Sequence, residues 1–268
     1  MEMQLSQKSN FRRFGGIARL YSQNSLDYFE QAHICIVGLG GVGSWVVEAL
    51  ARTGIGKMTL IDLDNVALSN VNRQQPAVTS QLGMPKVEAM SRRVLDINPD
   101  CQLTLIEDFV EEKNIEQIFV KPFDFVVDAI DDIKIKAAMA AYFISHKQAF
   151  IVSGGAGGRT DPLQIETGGI HTVTHDPLLA NMRYTLRKRH GFREREHLLN
   201  KVNCVFSRQS LIRPENNLCE ADEQPLQGLS CAGFGASMMV TAAFGLACAA
   251  ATVDVLNKQA LSCLSNKQ

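Results

Sequence analysis

Six residues, Gly38-Leu39-Gly40-Gly41-Val42-Gly43, limit what this chain can fold into more than any other stretch. They follow a short apolar run, His33 to Val37, and lead into apolar residues at helical spacing from Val42 to Thr53. A buried strand, a glycine turn and a helix start, in that order, expose backbone N–H groups where the helix dipole also favours an anion. Asp62 falls about 20 residues past the turn, the place where an acidic group can meet a ribose hydroxyl. Alone, this pattern suits NAD or FAD as well as ATP, and Asp62 alone could simply cap a turn.

The same alternation continues downstream. Strands are expected at Lys57 to Ile61, Gln102 to Ile106, Phe123 to Val127 and Ala149 to Ser153, with helices at Pro85 to Ile97 and Ile133 to Ser145. Strands alternating with helices imply a parallel sheet covered on both faces. After Gly154-Gly155-Ala156-Gly157-Gly158 the pattern changes to short strands (Leu163 to Glu166, Cys204 to Ser207), a charged helix and an apolar C-terminal segment. The expected fold is therefore α/β: a Rossmann-like doubly wound sheet whose parallel N-terminal part is extended by later antiparallel strands. One domain is expected, with an arm at 1–30, a nucleotide-binding part at 31–158, and a sheet extension, basic helix and apolar helix at 159–268.

Composition narrows the partners. Formal net charge is −1, so any nucleic-acid contact must come from a local patch. The seven cysteines are odd in number and include no C-x-x-C pair, which predicts reduced thiols, a cytoplasmic protein and no zinc site. The polar start, Met1 to Asn10, predicts no export signal. Pro225 to Val253 carries no charge and is long enough to resemble a membrane span. Its Gly, Ala, Ser and Thr content, with no flanking basic cluster, predicts a loop and then a buried helix over 229–253. Cys231, in that loop, reads as a small packed residue rather than a nucleophile. Trp45 reads as packing beneath the first helix rather than stacking on a base.

Arg73 and Lys86 turn the balance toward ATP. Holding a dinucleotide needs no two cations beyond the glycine turn, whereas activating a carboxylate does. The acid must attack an anionic phosphate, and two unit charges 4 Å apart repel by ~4 kcal/mol at an effective dielectric of 20. Cations and a metal offset that repulsion. Asn70 can bond a phosphate or fix its loop. Asp128 and Asp131-Asp132 end the fourth strand, where Asp131 is read as a Mg²⁺ ligand and Asp132 as the cap of the next helix.

The motifs Gly38-x-Gly40-Gly41-x-Gly43, Asp62-x-Asp64, Ser69-Asn70-x-x-Arg73-Gln74, Lys86 and Asp128-x-x-Asp131 resemble those of the E1-like superfamily, which includes the ThiF, MoeB and HesA types. The resemblance implies carboxylate adenylation with ATP and Mg²⁺ in a homodimer. It places ATP on Gly38, Gly40, Gly41, Gly43, Asp62, Asp64, Ser69, Asn70, Arg73 and Lys86. It gives catalytic roles to Arg73, Lys86 and Asp131. The zinc cysteine pairs usual in ThiF and MoeB are missing. Gly16 stands where many members carry an arm arginine that reaches the partner subunit's phosphates, with Arg13 and Arg19 nearby.

Further segments resemble one family within the superfamily, the tRNA threonylcarbamoyladenosine dehydratases. They are Arg13-Phe14-Gly15-Gly16-x-Ala18-Arg19-Leu20-Tyr21, Asp176-Pro177-Leu178, Cys204-Val205-Phe206-Ser207 and Cys231-Ala232-Gly233-Phe234-Gly235-Ala236. The implied substrate is tRNA bearing threonylcarbamoyladenosine at position 37, closed to its cyclic form. The implied protein partners are the cysteine desulfurase CsdA and its sulfur acceptor CsdE, and a monovalent cation is a further candidate cofactor. The alternative is a sulfur-carrier-protein adenylyltransferase of the ThiF/MoeB type; an NAD oxidoreductase and a membrane scaffold are weaker rivals. For the tRNA, Arg183, Arg187, Lys188, Arg189, Arg193 and Arg195 form the candidate phosphate surface, joined by Lys201, with Tyr184, His190 and Phe192 as candidate stacking groups. A solvated helix face is the plainer explanation of the same charges.

Overall fold

Two helices precede the sheet: α1 (Glu2–Tyr21) and α2 (Gln23–Gln31), hinged at Ser22, whose hydroxyl accepts the Ser25 amide. The structure, a computed structural model, describes residues 2–213 and 234–265, with side chains over 12–213 and 234–263. β1 (His33–Val37) leads through the glycine turn to α3 (Gly43–Thr53), which stops at Gly54 in the left-handed region, φ 87°. β2 (Lys57–Ile61) is followed by a long crossover containing short 3₁₀ turns, then α4 (Lys86–Ile97) and β3 (Gln102–Ile106). The single turn α5 (Ile115–Ile118), β4 (Phe125–Asp128), α6 (Ile133–Ser145) and β5 (Phe150–Ser153) complete the alternating part. Then come β6 (Ile165–Gly169), α7 (Pro177–Arg189), β7 (Asn203–Ser207) and α8 (Met238–Ser265).

The seven strands form one sheet in the order β3-β2-β1-β4-β5-β7-β6. Strand side chains alternate between its faces. Ile34, Ile36, Met58, Leu60 and Val127 pack toward α3, α4 and α8, while Cys35, Val37, Val126 and Val152 pack toward α6 and α7. Both faces are covered, so the inner strands read as continuous apolar runs. The chain order reverses beside β1, where β2 and β4 flank it. Open sheets of this kind take ligands in the crevice at such a reversal, outside the carboxyl ends of the strands.

The expected α/β sheet is observed, with differences at its edges. Among the described residues only β6 runs antiparallel; β7 is parallel to β5, so one of the two late strands reverses direction. The strand expected from Leu163 begins at Ile165, because Asp161 accepts the Leu163 amide and winds Pro162–Gln164 into a 3₁₀ turn. The fourth strand starts at Phe125 rather than Phe123, since the Asp124 carboxylate accepts the His33 amide. The arm is helical, and its first helix, α1, packs on α2 and α3.

From Met238 the apolar segment forms α8, whose stretch Met238–Cys263 is long and apolar enough to cross a membrane; 56% of its most apolar part is buried against the rest of the chain, and the part of the expected loop over 229–233 lies outside the described residues. It is a core helix, lying on α3, α2 and the sheet. Cys35, Cys101, Cys204 and Cys248 are buried free thiols, and burial pushes those of Cys101 and Cys248 up to about 12. Cys231 lies outside the described residues.

Candidate active site

The glycine turn closes on itself so tightly that side chains are excluded. Gly38 takes φ 86°, and a Cβ there would sit 3.1 Å from the Ala129 carbonyl oxygen. A Cβ on Gly43 would fall 1.8 Å from the Gly38 oxygen, so α3 can begin there only with glycine. Gly40 differs: nothing lies within 4 Å of its missing Cβ, which leaves an open approach to the backbone. Ser44 then locks the turn, its hydroxyl donating to Gly40 O at 2.7 Å and accepting the Gln75 amide.

Asp62 connects this turn to β2. Its carboxylate accepts the Leu39 amide at 2.6 Å and the Asp64 amide at 2.9 Å. Burial holds its pKa above the ordinary aspartate value, even though Lys86 and both amides oppose the rise. Lys86, on the first turn of α4, bonds Asp64 at 2.7 Å and stands 3.7 Å from Asp62. The ammonium is buried, yet the Asp64 side chain it grips is 57% exposed.

The crossover brings Arg73 over the glycines. Its Cγ and Cδ lie 3.2 and 3.3 Å from where a Gly41 Cβ would be. Its guanidinium donates to Ser69 O and to Asn72 Oδ1. Burial lowers its pKa, and the charge of Asp131 works against that. Its carbonyl accepts the Trp45 indole N–H at 2.9 Å, so Trp45 packs at α3 and pins the crossover. Asn70 is buried with its Oδ1 accepting the Ala67 amide, so it fixes the loop. Asn72 ties the crossover to α8, donating to Ala236 O and accepting the Met238 amide. Asp132 caps α6 by accepting the Ile135 amide, as expected, while Asp131 is exposed beside it.

A ThiF family model matches residues 16–267. The chain belongs to the ThiF family. A tRNA threonylcarbamoyladenosine dehydratase of Haemophilus influenzae is 45% identical over 250 residues, covering 92% of this chain and 94% of that protein. Two crystal structures of the Escherichia coli tRNA N6-threonylcarbamoyladenosine dehydratase also match. The complex with ATP has a TM-score of 0.83 at 40% identity, and the complex with AMP 0.85 at 41%. Each covers 94% of this chain and 96% of the other.

This ThiF-family chain carries a second polar set, behind the first, whose basic members, Lys136 and Arg159, motif reading passed over. Asp128 and Lys136 form a fully buried ion pair at 2.9 Å, and Asp176 and Arg159 a neighbouring one at 3.8 Å. Asp176 caps α7 and accepts the Gly155 amide, holding the loop after β5. Burial raises the pKa of Asp128 and of Asp176, against the pull of Lys136 and Arg159.

The basic residues do not share one environment. Arg183 donates to Ile170 O, and Arg187 makes two bonds to Glu196. Arg195 donates to Gly191 O. Lys188 lies 5.5 Å from the Tyr184 ring, and Arg189 and Arg193 are exposed. Phe192 is buried in the core, so the expectation that it stacks on a base is corrected. Because α7 starts beside Gly155, its last turn lies roughly 18 Å along the helix from the carboxyl ends of the strands. The arm is also remote: Arg13 donates to Ile97 O at the end of α4, away from its own glycine turn.

Proposed function

We propose that this chain is a cytoplasmic dehydratase. It uses ATP to adenylate the carboxylate of N6-threonylcarbamoyladenosine at position 37 of tRNA, then closes the side chain to the cyclic form. One observation carries the reading. The Arg73 stem lies against Gly41 beside the open backbone at Gly40, while Lys86 reaches the neighbouring strand end from an exposed carboxylate it can leave. That arrangement suits a polyphosphate. The named activity of the relatives supports the substrate.

In the first step a carboxylate oxygen attacks the α-phosphorus and pyrophosphate leaves, giving a mixed anhydride. Arg73 and Lys86 offset the repulsion between the two anions and the charge that grows as they meet. The glycine-turn amides and the α3 N-terminus bind the phosphates, and Asp62 meets the ribose. In the second step a carbamoyl nitrogen or oxygen of the same side chain attacks the activated carbon. A carbamoyl N–H proton is released, AMP carries off the former carboxylate oxygen, and a five-membered ring closes. The nucleophile is tethered, so its effective concentration is high and no enzyme thioester is needed.

Asp131 fits a Mg²⁺ site. Among the described residues no group of three or more His, Cys, Asp or Glu gathers, but Mg²⁺ is usually held by one or two carboxylates together with substrate phosphates. An exposed carboxylate at the end of β4, within the field of Arg73, meets that need. The ion would supply charge neutralisation at the phosphates.

Lys188, Arg189 and Arg193, with Arg183, Arg187 and Arg195, are the proposed tRNA phosphate surface. Arg13 or Arg19 belongs at a partner copy's site in a homodimer. A monovalent cation and the CsdA–CsdE pair complete the reading by family resemblance. The test is mass spectrometry of anticodon-loop nucleosides from cells with and without the gene. With it, the modified adenosine should be lighter by one water; equal masses would remove the assignment.

A further inference from the structure

Lys136 is the feature that the reaction does not use directly and that the fold alone does not require. α6 is otherwise apolar on this face, with Ala137, Met139, Ala140 and Phe143 buried beside it. A leucine or methionine would pack there without desolvating a charge, and replacing a buried ion pair by apolar residues is often neutral or favourable. Instead the ammonium is fully buried and directs its protons at one short segment. It donates to Asp128 Oδ1 at 2.9 Å, to Ile130 O at 2.8 Å and, more weakly, to Asp128 O at 3.4 Å. Asp128 Oδ1 in turn accepts the Ile130 amide at 3.2 Å.

That segment has two neighbours of consequence. On one side, Ala129 and Ile130 form the lid over Gly38, and the Ala129 amide donates to Val37 O. On the other, the next residue is Asp131. Beyond the Ala129–Val37 bond, the loop between β4 and α6 is held by Lys136 and, at its far end, by the Asp132 cap. Lys136 therefore fixes the stem of the carboxylate assigned to magnesium, while the Ala129–Val37 bond holds the roof of the glycine turn without it.

We propose that Lys136 is a positioning residue. Through Asp128 and the Ile130 carbonyl it sets the loop over 128–132, so that Asp131 meets the magnesium–nucleotide complex without reordering. This rests on the reading of Asp131 given above. Outer groups that orient a metal ligand typically change metal affinity 10- to 100-fold when removed, which is the expected size here.

Lys136→Met alone leaves Asp128 buried and unpaired, so it can fail by unfolding. The Asp128→Asn/Lys136→Met double variant replaces the pair by uncharged groups and is the working test. Thermal shift is measured with ATP alone and with ATP plus increasing magnesium, and hydrogen exchange is followed at the amides of 129–132. The expected result is faster exchange at those amides, an unchanged response to ATP without magnesium, and a magnesium requirement on the order of 10- to 100-fold higher. Either change without the other overturns the proposal, as does a folded variant that behaves as wild type. Asp131→Asn provides the separating control. If that variant keeps the wild-type magnesium response, the assignment of Asp131 fails, whatever Lys136 does to the loop.

Discussion

The carboxyl ends of β2 and β4 hold the same ingredients, aspartate and buried lysine, and put them to different uses. At β2 the lysine, Lys86, grips Asp64, whose side chain stays 57% exposed. At β4 the partners are Lys136 and Asp128, 0% and 1% exposed. Asp64 returns to water when Lys86 leaves it, and Asp62, 3.7 Å from the ammonium, keeps two amide donors, so Lys86 can exchange its bonded partner for a phosphate without stranding a bare charge. A buried pair cannot part without leaving a bare charge in the core. Lys86 is thus available to a ligand, and Lys136 is committed to the fold of the loop. Burial of the lysine does not separate the two cases; the exposure of the carboxylate it hydrogen-bonds does.

Four experiments would break or sharpen this contrast. The largest effect belongs to Lys136→Met, which should cost about 3–5 kcal/mol of stability in urea unfolding, the usual result of stripping one partner from a buried pair. Next is Lys86→Ala. It should cost less stability than Lys136→Met, because the buried Asp62 carboxylate 3.7 Å away keeps its two amide donors, while ATP–pyrophosphate exchange with substrate tRNA falls on the order of 10²- to 10³-fold. Should Lys86→Ala unfold the chain and Lys136→Met spare it, the contrast is inverted.

The third effect is a recovery. Asp128→Asn/Lys136→Met should regain most of the stability lost in Lys136→Met, because no charge is left unpaired. A double variant as unstable as the single one would show that packing, not charge, fixes the loop.

The smallest effect is in pH. Burial raises the Asp62 pKa, so the folded chain holds that proton more tightly than the unfolded one. The stability this group contributes is complete below the ordinary aspartate value of about 3.9 and is lost as pH rises through the raised value. Asp62→Asn abolishes that loss. Its urea midpoint relative to wild type should climb with pH through the weakly acidic range; a flat difference would mean that Asp62 titrates normally.

The contrast also explains what the sequence could and could not reveal. β1, β2 and the glycine turn were legible because apolar runs and glycines are local signals. Arg73 and Lys86 stood out because their order along the chain is tied to one chemistry. Lys136 did not, since a lysine in a helix is usually solvated; its only sign was its place in an otherwise apolar run from Ile135 to Ala141. Nor could spacing show that Arg187 is engaged by Glu196, or that Phe192 turns inward, because both depend on how the segment after α7 folds back. The direction of β7 was equally hidden. Pairing with β5 is decided across the sheet, and no residue within 203–207 records it.

The indole of Trp45 has a use of its own. It is the chain's single tryptophan, and its N–H is held by the Arg73 carbonyl. Its emission is therefore an optical gauge of the segment that carries the guanidinium, free of background from any other indole, and nucleotide arrival can be timed in a stopped-flow instrument with no label attached.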